Sequence, residues 1–577
     1  MCRNSIRLRP FLYPDQTAAS YVYDLVGKIQ QVSDPTGTYG FAYDNMGRLI
    51  GTTTQYTFLP GHNFQNGYTY DAASNRASLT APDGSTNSYQ YDTLNRLATL
   101  TNSLTGQFGF GYDALSRRTQ LTRPNGVNTN YNYDSVSHLL SVMHQAGSTT
   151  LDGASYGYDF AGNRTSKTNY LNGITSNYGY DAIYELLPVT QGGNTTETYS
   201  YDAVGNRLSS TGVPTYSYNS SNELTSNSSG GYTYDNNGNT LTDASGKSYT
   251  WDFENRLTQA VVPGTGAVAF KYDPFGRRIQ KSSALGTTNY LYDRAKLVAE
   301  FDNSGNVLAR YTQSKGVDKP LAQLRSGTVS YYQQDGLGSV TSLTNSAGAV
   351  AETYTYDSYG KPTASTGTLV NPFQYTAREF DSETDIYYYR ARYFDPSAGR
   401  FLNQDPIRFG GGTNFYAYTR NNPVIRTDPF GHYSGSGVVG SIYLGPDGVW
   451  QNDGSPLPPD LPGGCSLAQL AQSPNACAGP QGQDEPDPWM PPPNPPSPNK
   501  CDKGDQPQDE PLPEPDQYQP PPPILSEGQC LTWTLADGWL HGFVIGAAIF
   551  GQEEIPIAIG VGSLIGHKIV CGTWLDF

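Results

Sequence analysis

Cysteine is almost missing from the body of this chain. Cys2 stands alone before residue 432, and the other five (Cys465, Cys477, Cys501, Cys530 and Cys571) lie in the tail. None shares the short spacing of a zinc site, so no metal centre is expected, and an odd set of tail thiols leaves at least one unpaired. With no cysteine in the body but Cys2 and no Ser-His-Asp context, nucleophilic catalysis has no support either. No cofactor is expected. Apolar runs are short, below the ~20 residues of a spanning helix.

Basic charge is also scarce where the acid is. Residues 432–577 carry three Lys/Arg (Lys500, Lys503, Lys568) against 17 Asp/Glu, a net of −14, while the preceding residues are nearly balanced at −2. The acidity therefore belongs to the tail, and no basic stripe points to nucleic acid. The opening MCRNSIRLRPFLYPDQ is basic but lacks the apolar core of a signal peptide. A reading frame that begins inside a longer ancestral protein is expected, ahead of export without a cleaved signal.

What the chain does contain is 45 tyrosines and 63 glycines, arranged in a repeat. An aromatic followed by Asp, or once by Asn (YNSSNEL at Tyr218), recurs fifteen times: YDLVGKI at Tyr23, YDTLNRL at Tyr91, YDALSRR at Tyr112, YDAVGNR at Tyr201 and YDPFGRR at Tyr272 are examples. Most intervals are 20 to 22 residues, shrinking to 16 or 17 between Tyr201 and Trp251. A second aromatic usually precedes by two, as in Tyr89-Gln90-Tyr91, which puts both rings on one face of a strand. Asp92, Asp113 and Asp202 each open a turn by accepting the amides ahead, and Gly205 or its equivalent takes the left-handed position. Each repeat thus reads as one β-hairpin, with Tyr91, Tyr112 and Tyr201 as wall residues.

About 30 strands at ~4.8 Å make on the order of 140 Å of sheet. A sheet that wide twists and exposes long edges, so a rolled, all-β spiral wall is expected. Tyrosine suits such a wall, its ring packing and its hydroxyl facing a wet surface. A carbohydrate-binding groove is the sharper reading of the rings; the structural reading is preferred, and His62, His138 and His144 read as wall or turn residues.

The repeat, over residues 20 to about 431, resembles the YD repeat of the Rhs proteins, also found in insecticidal Tc toxins and teneurins. That resemblance implies a hollow β-shell enclosing a polypeptide cargo. From Tyr331 the pattern changes, and residues 373–431 hold the string RARYFDPSAGRF, QDP, GGTNFYAYTRNNP and TDPFG. This string is similar to the Rhs-associated core domain, which closes the shell and acts as an intramolecular aspartyl protease. Carried over by position, the resemblance implies catalytic carboxylates at Asp405 and Asp428, an assisting guanidinium at Arg392, and a cut between His432 and Tyr433. The chain departs from the family at Arg408, where glycine is usual, and at His432, where leucine is usual.

The chemistry stands on its own. Two neighbouring carboxylates cannot both ionise easily, so one keeps a proton and can polarise a carbonyl while the other activates water. A guanidinium can orient either acid or stabilise an oxyanion. With substrate and catalyst on one chain, positioning entropy is spent in folding, and slow single-turnover chemistry suffices. DPFG occurs twice, at Asp273 within KYDPFGRR and at Asp428 within TDPFGHY. The first sits in a YD repeat and reads as a wall turn; only the second reads as chemical.

Past Gly431 the repeat stops. The expected organisation is an N-terminal segment (1–19), a YD-repeat shell (20–330), a core domain (331–431), a Gly/Pro-rich, largely irregular linker (432–528) and a short apolar element (529–577). Proline-rich stretches such as PLPEPDQYQPPPP act as extended spacers. Residues 539–575 are read as a small buried element in preference to a membrane-contacting one. The expected function is a toxin-delivery shell that releases its C-terminal segment, with that segment as cargo, a shell-closing partner or secretion machinery, and an immunity protein. Secretion or surface display follows from the resemblance. The alternatives are an uncleaved surface or adhesion scaffold and a decayed fragment.

Overall fold

In the computed structural model the described residues run unbroken from Thr17 to His432, with Pro14, Asp15 and the backbone of short strands nearer both ends. Two compact units are distinguished, Met1–Pro498 and Asn499–Phe577. Tyr433, most of the linker beyond it and most of the apolar C-terminal element lie outside the described residues.

The described residues are all-β apart from three short 3-10 turns. Consecutive antiparallel hairpins build a 19-stranded sheet that ends at Glu197 and a 14-stranded sheet from Thr233 to Thr366. Between them lie the short hairpins of the compressed repeats. The sheet passes the change of text at Tyr331 without a break: Thr328–Gln334, Val340–Thr344, Val350–Tyr356 and Pro362–Thr366 continue the ladder. The last repeats and the first part of the expected core domain are therefore one wall.

Most repeats are stapled by the same atoms, Asp293, which binds Tyr68 and Arg76 instead, being an exception. Asp113 Oδ1 accepts the amides of Leu115 (3.0 Å) and Arg117 (2.9 Å), while its Oδ2 takes Arg117 Nε at 2.6 Å. Asp92 repeats this with Leu94 and Arg96, and Asp202 with Val204 and Asn206. The fourth residue takes positive φ, as at Asn95 (58°) and Gly205 (77°). The arginine then reaches forward: Arg117 Nη1 donates to the carbonyl of Asp134 in the next repeat, and its guanidinium lies 4.8 Å from the Tyr133 ring centroid.

The tyrosine hydroxyls depart from the expected wet surface. Tyr91 donates to the Arg76 carbonyl (3.0 Å), Tyr112 to Leu97 (2.9 Å) and Tyr133 to Arg118 (2.9 Å), each reaching back into the preceding hairpin. A carbonyl left over by the turn is nearer than water, and a buried one needs a partner. Tyr201 differs, sharing a 2.6 Å bond with the hydroxyl of Tyr359.

Every such hairpin also carries a β-bulge: Gly111 pairs with Gln120 but Tyr112 with Arg118, leaving Thr119 unpaired. Bulges increase local twist, and one per repeat coils the sheet. Residues one coil apart then meet. Tyr56 donates to the Tyr290 carbonyl across 234 residues, Asn125 to Thr344 across 219, and Lys167 pairs with Asp335 across 168. The coil tightens as the chain advances, and apolar residues of successive coils form shared cores such as Val32, Tyr39 and Phe64 with Ile279, Leu291 and Phe301.

The tightened end is plugged by residues beyond Val370. Four short strands between Glu379 and Phe401 pack Tyr387, Tyr389, Phe394, Phe401 and Tyr418 into one core with Leu186, Val189 and Tyr359 of the wall. Polar bonds fix the plug around its rim. Asp381 pairs with Arg278 and with Lys281 (3.1 Å), Tyr416 donates to the Gly238 carbonyl (2.8 Å), Asn421 binds Glu185 and the Gly205 carbonyl (2.8 Å each), and Arg164 donates to the Val424 carbonyl (2.7 Å).

Candidate self-cleavage site

The plug strand Arg392–Asp395 pairs with Ile386–Tyr389, and this short hairpin aims Arg392 inward. Its guanidinium lies 3.6 Å from the Phe401 ring centroid and is 2% exposed. Nη1 donates to the Phe415 carbonyl at 2.9 Å. One nitrogen, Nη2, meets both expected acids: Asp405 Oδ2 at 2.9 Å and Asp428 Oδ2 at 3.2 Å. Residues 36 positions apart in the case of Arg392 and Asp428 are thus brought into one buried cluster with Asp405.

The two acids have different neighbours. Burial, reinforced by Asp428 and opposed by Arg392 and the Ile407 amide, pushes the Asp405 carboxyl up to about 6. Burial likewise lowers Arg392 from its usual range, against the pull of both acids. Asp428 Oδ1 accepts the backbone amide of His432 (3.1 Å) and Oδ2 faces Arg392, so both of its oxygens serve as acceptors.

The backbone of residues 429–431 is gripped along its length. Arg390 Nη1 donates to the Pro429 carbonyl, the Ala391 amide to the Phe430 carbonyl (3.2 Å), and Arg392 Nε to the Gly431 carbonyl. Three consecutive residues hold three consecutive carbonyls, and the next carbonyl is that of His432. That carbonyl abuts Gly411: a β-carbon placed there would lie 2.4 Å from Asp405 Oδ2 and 3.0 Å from the His432 oxygen. The two oxygens are therefore at most about 5.4 Å apart (2.4 + 3.0). His432 itself is partly buried, its Nδ1 has no hydrogen-bond partner, and burial together with Arg392 lowers its imidazole to about 4.

The two DPFG copies share a turn and differ in what their aspartate holds. Gly276 (φ 75°) and Gly431 (φ 70°) both donate to the carbonyl of the preceding Asp, and in each copy Oδ1 accepts the amide four residues on. Asp273 gives its other oxygen to Arg277 of its own repeat at 2.6 Å. At the second copy that position is His432, and Arg392 takes the oxygen instead. Arg408, at the position where glycine was expected, has φ 50°, a left-handed backbone that glycine favours.

Arg390, Gly411 and Asp318, which binds Arg390, were not singled out from sequence. The alternation Arg390-Ala391-Arg392 on a strand and the glycine run 410–412 were the available signals. Among the described residues no group of three or more potential metal ligands occurs, and no helix is long and apolar enough to cross a membrane.

A coiled wall of stapled hairpins, stopped by a tyrosine-rich plug carrying two acids on one arginine, defines a YD-shell architecture. Residues 145–424 match the Teneurin YD-shell family and residues 91–128 the RHS Repeat family, so these stretches are YD repeats of the Rhs type. It is similar to tRNA nuclease WapA of Bacillus subtilis (34% identity over 191 residues, 31% of this chain and 8% of that protein). It is also similar to Double-stranded DNA deaminase toxin A of Burkholderia cenocepacia (30% over 216 residues, 32% and 15%) and Toxin protein Tse5 of Pseudomonas aeruginosa (30% over 119, 21% and 9%). The chain spans only a small part of each of these relatives. The fold matches a TcdB2-TccC3-Cdc42 crystal structure (TM-score 0.61, 19% identity, 74% of this chain and 26% of that one). It also matches the Tc holotoxin pore of Photorhabdus luminescens (TM-score 0.60, 20% identity, 72% and 25%).

Proposed function

We propose that this chain is a toxin-delivery shell that encloses its C-terminal segment and cuts its own backbone between His432 and Tyr433. The single observation that carries the reading is that Asp405 and Asp428 share Arg392 Nη2 while the His432 carbonyl abuts Asp405 across Gly411. Asp405, the acid that keeps its proton, donates it toward the His432 carbonyl oxygen. Asp428 takes a proton from the attacking water, whose oxygen bonds to the carbonyl carbon. Arg392 orients both acids and supports the developing oxyanion. As the C–N bond breaks, the proton held by Asp428 passes to the Tyr433 nitrogen, and Asp405 is re-protonated as the carboxyl forms. The toxin names of the sequence relatives support export or surface display, a separate immunity partner, and the segment beyond His432 as cargo.

Intact mass of the expressed full chain tests this. A cut after His432 leaves a tail of 145 residues, and Asp405→Asn and Asp428→Asn should each abolish it. A break between Asp428 and Pro429 that persists in Asp405→Asn is simple acid lability of that bond. Full-length mass in a folded preparation overturns the reading and leaves the surface scaffold.

A further inference from the structure

The cluster around Asp318 belongs to the wall, not the plug, yet it reaches the backbone about to be cut. Asp318 sits in the connection between the strands Val307–Gln313 and Pro320–Arg325, itself at φ 56°. Its carboxylate holds two plug arginines. Arg390 approaches with Nη2 to Oδ1 at 2.6 Å and Nη1 to Oδ2 at 3.1 Å, a two-pronged pair, and Arg378 Nη1 reaches Oδ1 at 2.6 Å. Arg390 also donates to the Ala295 carbonyl (3.4 and 3.3 Å) on the wall, lies 5.1 Å from the Phe430 ring centroid, and caps the Pro429 carbonyl. It is 7% exposed and its backbone is left-handed at φ 58°.

Resting on the self-cleavage reading, we infer that Arg390 is a positioning residue through which the wall licenses the cut. Asp318 and Ala295 hold its guanidinium, and Arg390 in turn holds the Pro429 carbonyl. The scissile His432 carbonyl is thereby seated against Asp405 only after the coil has closed on the plug. Arg390 touches neither the reacting carbonyl nor either acid, so its contribution is geometric. A fixed two-pronged guanidinium suits this task, since it grips a carboxylate and a carbonyl at once. Cutting before the wall is complete would free the tail outside it; coupling the grip to Asp318 prevents that.

The test uses the full chain, refolded from denaturant, with cleavage followed by intact mass over time. Arg390→Met is expected to slow cutting about 10- to 100-fold, the scale of an ångström-level misplacement, with an unchanged pH profile. Arg390→Lys should recover part of the rate, since an ammonium can keep one bond. Arg378 still pairs Asp318 in Arg390→Met, so no buried acid is orphaned and the wall should fold. Asp318→Asn should slow cutting similarly, and the double variant should be no slower than the slower single one. A second arm does not depend on cutting. In uncleaved Asp405→Asn, adding Arg390→Met should raise amide exchange across 428–432 while wall strands such as Val340–Thr344 keep their protection. Wild-type cutting rates in Arg390→Met, or unchanged exchange at 428–432, overturn the inference. If the parent chain never cuts, the self-cleavage reading fails, and the exchange arm alone still decides whether Arg390 holds this segment.

Discussion

A methyl group added to Gly411 would collide with Asp405 Oδ2 and the His432 carbonyl at once. Its backbone (φ −85°, ψ −14°) is one that alanine adopts freely, so the collision is the whole cost of the change. Gly411→Ala is therefore expected to fold normally and to stay uncut, read by intact mass beside an unchanged circular dichroism spectrum. Complete cutting would place the reacting carbonyl elsewhere. The acids make a second prediction. With Asp405 pushed up to about 6, the fraction holding a proton falls as pH rises through 6, so the first-order rate of cutting should decline above that pH. The same shift has a sign for stability. The folded state holds this proton more tightly than the unfolded chain, so the contribution is complete below about pH 4 and is lost as pH rises through 6. His432 acts oppositely: lowered to about 4, it stabilises above about pH 6.5 and loses this as pH falls toward 4. His432→Leu removes the partnerless ring nitrogen and should flatten that acid limb in thermal unfolding without stopping the cut.

At the scale of the element, the hairpin is a closed circuit of Asp, left-handed residue, Arg and the next tyrosine. Tyr112→Phe deletes one hydroxyl and orphans the Leu97 carbonyl it serves, which should cost about 1 kcal/mol. Arg117→Ala removes an ion pair, a bond to the next repeat and a ring contact together, and should cost more than Tyr112→Phe in urea unfolding. Equal costs would mean that the forward reach of the arginine contributes nothing. The circuit was legible in the text, because Asp, the turn residue and the basic residue recur at fixed spacing and act over a few positions. The destination of the tyrosine hydroxyl and the bulge were not, since both depend on which strand lies alongside.

For the unit as a whole, stability and chemistry meet at the rim between wall and plug. Asp381 is 1% exposed and holds Arg278 and Lys281. Asp381→Asn leaves the buried Arg278 short of a counter-charge, while Lys281 keeps Glu383 at 3.0 Å, and should cost about 3–5 kcal/mol, seen as earlier release of the plug from the wall in urea. A change of under about 1 kcal/mol would mean the rim is held by packing alone. Sequence by itself determined the hairpin, its repetition and the place where repetition stops, because these follow from strand alternation and turn chemistry within about 20 residues. It also marked Asp405, Asp428 and Arg392 through their resemblance to a known core. Only the tertiary structure decided that the coil tightens, that Asp318 and Gly411 belong to the site, and that one DPFG turn closes on its own arginine while the other closes on Arg392. Those outcomes depend on which residues meet across 36 positions at Arg392 and Asp428, 72 at Arg390 and Asp318, and 168 between coils at Lys167 and Asp335, and no local spacing encodes that.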